Sequence, residues 1–402
     1  MYRVGFGDCF LLTLPRDAAG DAHILIDCGV HSQGDIGIMS TIVADVAKEC
    51  GGHLALIIAT HAHQDHISAF GKFADQFKKL TVDQVWLPWT EDSDDPTARG
   101  VKQKHLALAQ ALAGHFAALG VTGDSARGLA REALYAVANA SGNEAALALL
   151  KSGVNGGKVS YFKAGVSVDD AAGIAGLSVR VLGPPTDQKF LAVMNPPTND
   201  RFLRLGDDGQ PVVANGIQPI EDKWVVKEGA DPAYPILSDA DKAALRALAD
   251  SSTALAFSLD SVLNNTSVVT LFSYRGKTLL FPGDAQYGNW QSWITTPDGE
   301  AILEHVDFLK VAHHGSLNAT PKSALEKMPD KKFAAMISTQ SKPWPSIPFP
   351  KMLAVLHEKA TGVVQSDSIE VAGAKNAPKG PPLSPEPGFS IGPFWCDYAL
   401  AL

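Results

Sequence analysis

The stretch ATHAHQDHISAF, residues 59–70, sets three histidines and an aspartate within six consecutive positions, His61 to His66. Before it, LALIIAT at 54–60 is an unbroken apolar run of strand length, as expected of a strand buried on both faces. After it the chain turns amphipathic over about 67–79, which reads as a helix. His61, His63, Asp65 and His66 therefore fall in a tight turn beyond a strand's carboxyl end, where open α/β sheets place their sites. Neutral imidazoles bind borderline divalent ions such as zinc, and carboxylates add charge neutralisation, so this residue mixture suits a catalytic metal. The spacing lets His61 and His63 face one ion, and Asp65 and His66 a second. A purely structural reading has Asp65 capping the helix that starts near Ile67. Twelve histidines in 402 residues make three of them plus an aspartate at fixed offsets a coincidence on the order of one in a thousand or less, which favours the metal.

Working outward, FLLTL at 10–14, HILIDCG at 23–29 and QVWLPW at 84–89 are further short apolar runs, with amphipathic stretches at 39–49 and 67–79 between them. Strand alternates with helix, as in layered α/β architectures. From about 97 to 153 the pattern changes to Ala- and Leu-rich helices, an insertion. His105 and His115 within it are ten residues apart and lie on different faces of a helix, so they do not co-ligate. Strand-like YFKAG and LSVRVLGPP follow, then Pro- and Gly-rich loops over about 184–237 and a capped helix at 238–251. Strands return in SVVTLFSY and TLLFPGD, a hairpin turning at Arg275 and Gly276, and in VDFLKVAHHGS and FAAMIST. The organisation is read as one domain over 1–372, interrupted by the insertion and the long loops. A Pro- and Gly-rich tail over 373–402 ends in a short strand-like segment.

A net charge of −9 disfavours sequence-independent nucleic-acid binding through a broad basic surface, though a local basic groove is compatible with it. No run of about eighteen apolar residues occurs, and the opening is too polar at Gly7 and Asp8 for a secretory signal, so no membrane association is expected. Cys9, Cys28, Cys50 and Cys396 show no CxxC spacing, which fits a reducing interior and a cytoplasmic location. Neither a GxSxG elbow nor a phosphate-binding GxxxxGK[ST] loop is present.

HAHQDH resembles the HxHxDH signature of the metallo-β-lactamase fold superfamily, and three further segments resemble its other landmarks. ILIDCG places Asp27 where the family aspartate supports the metal loop by hydrogen bonds without ligating. FPGDA places Asp284 where the family carboxylate bridges two metals. KVAHHGS places His313 where the last family histidine completes the second site; the adjacent His314 is the alternative, since strand register is uncertain by one residue. With GFGD, LGPP and NNTSVV, the pattern over 1–90 and 177–372 is similar to the ComEC-type competence-protein branch, whose metallo-β-lactamase domain is a nuclease by expectation. The resemblance implies an α+β fold, a four-layer αβ/βα sandwich carrying the helical insertion. One departure stands out. The family supplies a third histidine to the first metal where this chain reads LNNTSV, which leaves Asn265 in that place, and Asn offers only a neutral amide oxygen.

The expected metal ligands are thus His61, His63, Asp65, His66, Asp284 and His313, holding one or two zinc ions, with manganese as an alternative. Asp65 or Asp284 would orient a water that the ion ionises near neutral pH. Lys310 is read either as a snorkelling strand residue or as an anion contact. Asp8 is read as a turn residue, with a partner behind the metal ligands as the alternative. His23, His31, His53, His305 and His357 lack ligand spacing and are read as surface or core residues. The chemistry is hydrolytic, of a phosphodiester, nucleic acid included, or of a small ester, lactone or thioester. A non-catalytic regulatory module with weakened metal affinity is the third reading. Oligomeric state is left open by the sequence.

Overall fold

The computed structural model describes residues 1–17, 20–34, 36–104, 107, 143–200, 204–205, 211–212, 262–340, 344–368 and 388–401. Most of the expected helical insertion, including His105 and His115, lies outside the described residues, as do the helix expected at 238–251 and residues 369–387 of the tail.

Two sheets carry the architecture. The first holds β1 (Cys9–Leu14), β2 (Ala22–Cys28), β3 (His53–Ile58), β4 (Thr81–Pro88) and β5 (Lys158–Phe162) in that spatial order, with β1 antiparallel and the rest parallel. Next in chain order come β6 (Val166–Val168), β7 (Ser178–Gly183) and a two-stranded ribbon of β8 (Arg204–Leu205) with β9 (Pro211–Val212). The later strands are β10 (Val269–Tyr274), β11 (Lys277–Phe281), β12 (Phe308–Lys310), β13 (Ala334–Ile337) and β14 (Gly362–Gln365). The second sheet runs β14-β13-β12-β11-β10-β7-β6. The β10–β11 hairpin turns on Arg275 and Gly276, both at positive φ, as a two-residue primed turn requires.

Side chains on a strand alternate between faces, and here both faces are buried, which is why the strands read as unbroken apolar runs. Ile24, Ile26, Leu56 and Ile58 point inward to meet Phe272, Phe281, Phe308 and Met336 of the other sheet. Their neighbours Leu25, Leu54 and Ile57 point outward, under helices α1 (Met39–Glu49) and α2 (Gln64–Lys72), whose Ile42, Val46, Ile67 and Phe70 cover them. On the far side Leu271, Leu280, Leu309 and Ile337 pack outward against Trp290, Leu325 and Met352. Four layers result, helix, sheet, sheet and helix, matching the expected α+β sandwich. A hairpin of β15 (Phe389–Ile391) and β16 (Cys396–Tyr398) closes one side, with Phe389 and Cys396 in the inter-sheet core. Among the described residues no helix is long and apolar enough to cross a membrane.

Candidate metal centre

The HAHQDH turn leaves β3 and enters α2 at Gln64, three residues before the expected start. His63 occupies the N-cap, and no side-chain cap bond forms, so Asp65 stands inside the first turn and is not the cap. A carboxylate there is favoured by the helix N-terminus.

Asp27 reaches the same point through a β-bulge. Cys9 pairs with Cys28 but Phe10 pairs with Ile26, so Asp27 is the extra residue, at φ 55°. A bulge re-aims a side chain. Asp27 Oδ1 accepts from Thr60 N–H at 2.7 Å, while Oδ2 accepts from Thr60 Oγ1 at 2.7 Å and meets His66 Nδ1 at 2.8 Å. Asp27 thus grips the turn from behind and orients His66. Gly7 and Gly29 allow this closeness: a Cβ on Gly29 would lie 2.6 Å from the backbone of Asp65 and His66, and one on Gly7 2.6 Å from Asp65 O.

His66 Nε2 faces forward, 2.9 Å from Asp284 Oδ2. His314 Nε2 lies 3.2 Å from both Asp284 Oδ2 and Asp65 Oδ2, with its Nδ1 2.8 Å from Ser338 O. Asp65, His66, Asp284 and His314 therefore bring four ligand atoms within 4.8 Å of one another, every residue buried. The ring that enters this group is that of His314 and not His313. β12 ends at Lys310, and the HHG turn beyond it carries His313 and His314 at φ 46° and 54° before Gly315 at 86°. Strand alternation no longer applies there. His313 instead sits 3.5 Å from Asn264 Nδ2.

His61 and His63 stand beside this group, His61 Nε2 3.0 Å from His63 Nδ1 and His61 Nδ1 3.1 Å from Thr60 Oγ1. The His61 and His66 rings are 4.2 Å apart. Asn265, expected at the third-ligand place, is turned away. Its Nδ2 donates to Leu191 O and Val193 O, and its Oδ1 accepts from Gln286 and Asn289 N–H at the start of helix Tyr287–Ile294. With both ends of its amide engaged, Asn265 braces a loop junction. The neighbouring Asn264 faces the histidines and hydrogen-bonds with His63.

Lys310 neither snorkels nor faces an external anion. Its buried ammonium lies 2.5 Å from Asp8 Oδ2 and 3.1 Å from Asp284 Oδ1, and donates to Gly283 O at 2.8 Å. Asp8, read from the sequence as a turn residue, is a buried counter-ion. His31, one of the histidines read as surface or core, is a core residue: it is 6% exposed, within electrostatic reach of Asp65, His314 and His63, and part of an aromatic wall with Phe6 and Trp344. The Phe6 ring lies 4.2 Å from that of His314 and 4.4 Å from that of Trp344.

Electrostatics follow from four buried carboxylates, Asp8, Asp27, Asp65 and Asp284. Burial opposes a charged imidazole at His66 and His314, but the surrounding carboxylates outweigh it; His66 is raised well above its ordinary value and His314 is pushed up to about 10. Burial likewise opposes ionisation of Asp65 and Asp284, yet His66, His314 and, for Asp284, Lys310 hold both well below the carboxylate range. Burial and the neighbouring His66 push His63 down to about 4 and His61 well down, so both rings are neutral. Neutral imidazoles and ionised carboxylates are the forms that bind a divalent ion. Asp65 Oδ1 and Asp8 Oδ1 are buried and have no hydrogen-bond partner among the described residues, which marks spare ligand capacity. The residues present fit a divalent cation.

Residues 2–83 match the family model of the metallo-beta-lactamase superfamily, a span from the GFGD opening through HAHQDH to the start of β4. The two sheets and their flanking helices complete the sandwich of that fold beyond the matched residues. A search of curated proteins finds no match.

Proposed function

We propose that this protein is a metal-dependent hydrolase acting on phosphodiesters, with nucleic acid as the polymeric form of that substrate. The observation that carries the reaction class is the buried convergence of Asp65, His66, Asp284 and His314 beside the neutral pair His61 and His63. The resemblance of GFGD, LGPP and NNTSVV to the ComEC-type branch supports the phosphodiester.

In this reading His61 and His63 with Asp284 would hold one ion, and Asp65, His66, Asp284 and His314 a second, zinc or manganese. A divalent ion in such a site supplies Lewis acidity and a water ionised near neutral pH. The protein's own groups do the rest. Asp27 and Ser338 O hold the far nitrogens of His66 and His314, so the near nitrogens converge. Lys310 holds Asp284 Oδ1 and leaves Oδ2 to the centre. Asp65 Oδ1, which accepts no hydrogen bond among the described residues, is placed to take a proton from an attacking water.

A second reading, a small ester, lactone or thioester as substrate, is favoured by the aromatic wall of Phe6, His31 and Trp344 beside His314. A cavity of about 830 Å³ lies elsewhere, between β1, β11 and the C-terminal hairpin, and does not touch the centre. The test is a screen of bis-p-nitrophenyl phosphate, single-stranded DNA, RNA and a lactone panel with Zn or Mn, with Asp284→Asn as control. Turnover of lactones alone selects the second reading. No turnover and no bound metal defeat both.

A further inference from the structure

We infer that Asn143 is a positioning residue for the His61–His63 arm of the centre. This rests on the metal reading above and adds a residue that the HAHQDH pattern does not contain. Asn143 is buried, and its Nδ2 donates to Ala62 O at 2.7 Å, across 81 residues of sequence. Ala62 is the residue between the two histidines, so its carbonyl belongs to the peptide that sets the direction of His63.

Two observations separate this from ordinary helix capping. Asn143 precedes helix α3 (Glu144–Lys151) at the N-cap, where an asparagine side chain normally accepts from the first turn of its own helix. Here no side-chain cap bond forms, and the carboxamide reaches the metal turn. The helix behind it is also a fixed platform. Ala146, Leu149 and Leu150 share a core cluster with Ile67 and Phe70 of α2, and the backbone of Ala146 approaches so near that a Cβ on Gly71 would lie 3.1 Å from it. The helix that carries His66 and the helix that follows Asn143 are therefore packed directly on one another, and the Asn143 bond ties the metal turn to that pair. Two other carbonyls of the turn are held by backbone, Thr60 O by Val268 N–H and His63 O by the first turn of α2. Ala62 O is the one held by a side chain returning from the inserted segment.

The experiment compares wild type, Asn143→Ala and Asn143→Asp, the last an isostere that puts an oxygen where the donor was. Each is stripped with chelator, melted, then titrated with Zn and with Mn against a chromophoric chelator. His63→Ala identifies the binding step that depends on this arm. Groups that orient ligands from behind are worth about 10- to 100-fold in metal affinity, so that step should weaken by this factor in both variants. The metal-free melting temperature should stay near wild type, and the step that survives His63→Ala should be unchanged. An unchanged affinity in both variants overturns the inference. So does equal weakening of both steps in proportion to a lower metal-free melting temperature, which is a structural role only. A wild type that takes up no ion defeats the metal reading itself, a separate failure visible before any variant is made.

Discussion

Replacing Lys310 by Met tests the charge balance on which the centre stands. Methionine matches the stem in bulk and apolarity, so the change is almost wholly electrostatic. The ammonium is 2.5 Å from Asp8 and 3.1 Å from Asp284, with all three side chains at most 2% exposed. At an effective dielectric of about 20 these separations correspond to gross attractions of about 7 and about 5 kcal/mol. Removing the lysine from water cancels several kcal/mol of that, and the measurable loss is the cost of leaving two buried carboxylates without their cation, about 3–5 kcal/mol. Urea unfolding of metal-stripped protein should show this loss. Lys310 is one of the groups that hold Asp284 low, and a carboxylate with depressed pKa stabilises the fold above its unfolded value near 4, losing that contribution as pH falls. The variant should therefore unfold at higher pH on acidification. Adding Asp8→Asn should recover part of the loss, with a coupling energy above about 1 kcal/mol. Zn or Mn should raise the melting temperature of the variant more than that of wild type, since an ion replaces the missing charge. A metal-free Lys310→Met protein within about 1 kcal/mol of wild type, with the same acid limb, would refute the reasoning.

Metal uptake at pH 7 should release about two protons, one each from His66 and His314, because both are raised and a protonated imidazole cannot ligate. Apparent affinity should then climb between pH 7 and 9 and level off near the His314 value of about 10; calorimetry in buffers of different ionisation enthalpy counts the protons, and a count of zero contradicts the scheme. Asn264→His should tighten the weaker metal step by about tenfold or more, since it adds an imidazole beside His63, whereas no change in chelator competition would place Asn264 outside the shell. Asn265→Ala should leave that step alone and cost about 2–5 kcal/mol in denaturant unfolding, because its amide serves two carbonyls and two N–H groups. Gly29→Ala, forced to within 2.6 Å of the Asp65 and His66 backbone, should lose metal even where it folds, and retention of full metal content would show that the loop can yield.

What the sequence displayed is what depends on local period. The strand LALII and its partners are unbroken apolar runs because both their faces are buried, and the α1 and α2 stretches repeat every three to four residues, so the sandwich left its mark in the order of apolar residues. His61, His63, Asp65 and His66 were visible because one short turn holds them all. The errors fall where backbone leaves those periods. His314 displaces His313 because two successive left-handed residues reverse the turn. Asn264 and Asn265 are adjacent in a turn, and only the long-range partners Leu191, Val193 and His63 decide which one faces the histidines. Asp8, His31 and Asn143 sit where they do through contacts with Lys310, Trp344 and Ala62 far along the chain, which no spacing encodes. For Asp8 the one available signal was the glycine pair, Gly5 and Gly7, just before a single acidic residue.

The same contacts explain how a centre this acidic stays folded before it takes up an ion. Asp65 and Asp284, buried and held ionised beside Asp8 and Asp27, would expel one another without cations, and Lys310 neutralises only one equivalent. The remaining positive charge is carried as protons on His66 and His314, the two rings whose far nitrogens are already fixed by Asp27 and Ser338. A divalent cation carries the charge of those two protons and can use the same two near nitrogens, so exchange conserves the charge of the cluster and demands little movement. Lysine cannot take part in that exchange, because its proton is held still more firmly by Asp8 and Asp284. The division between a permanent cation behind Asp284 and exchangeable protons in front of it therefore fixes on which side of that carboxylate an ion enters.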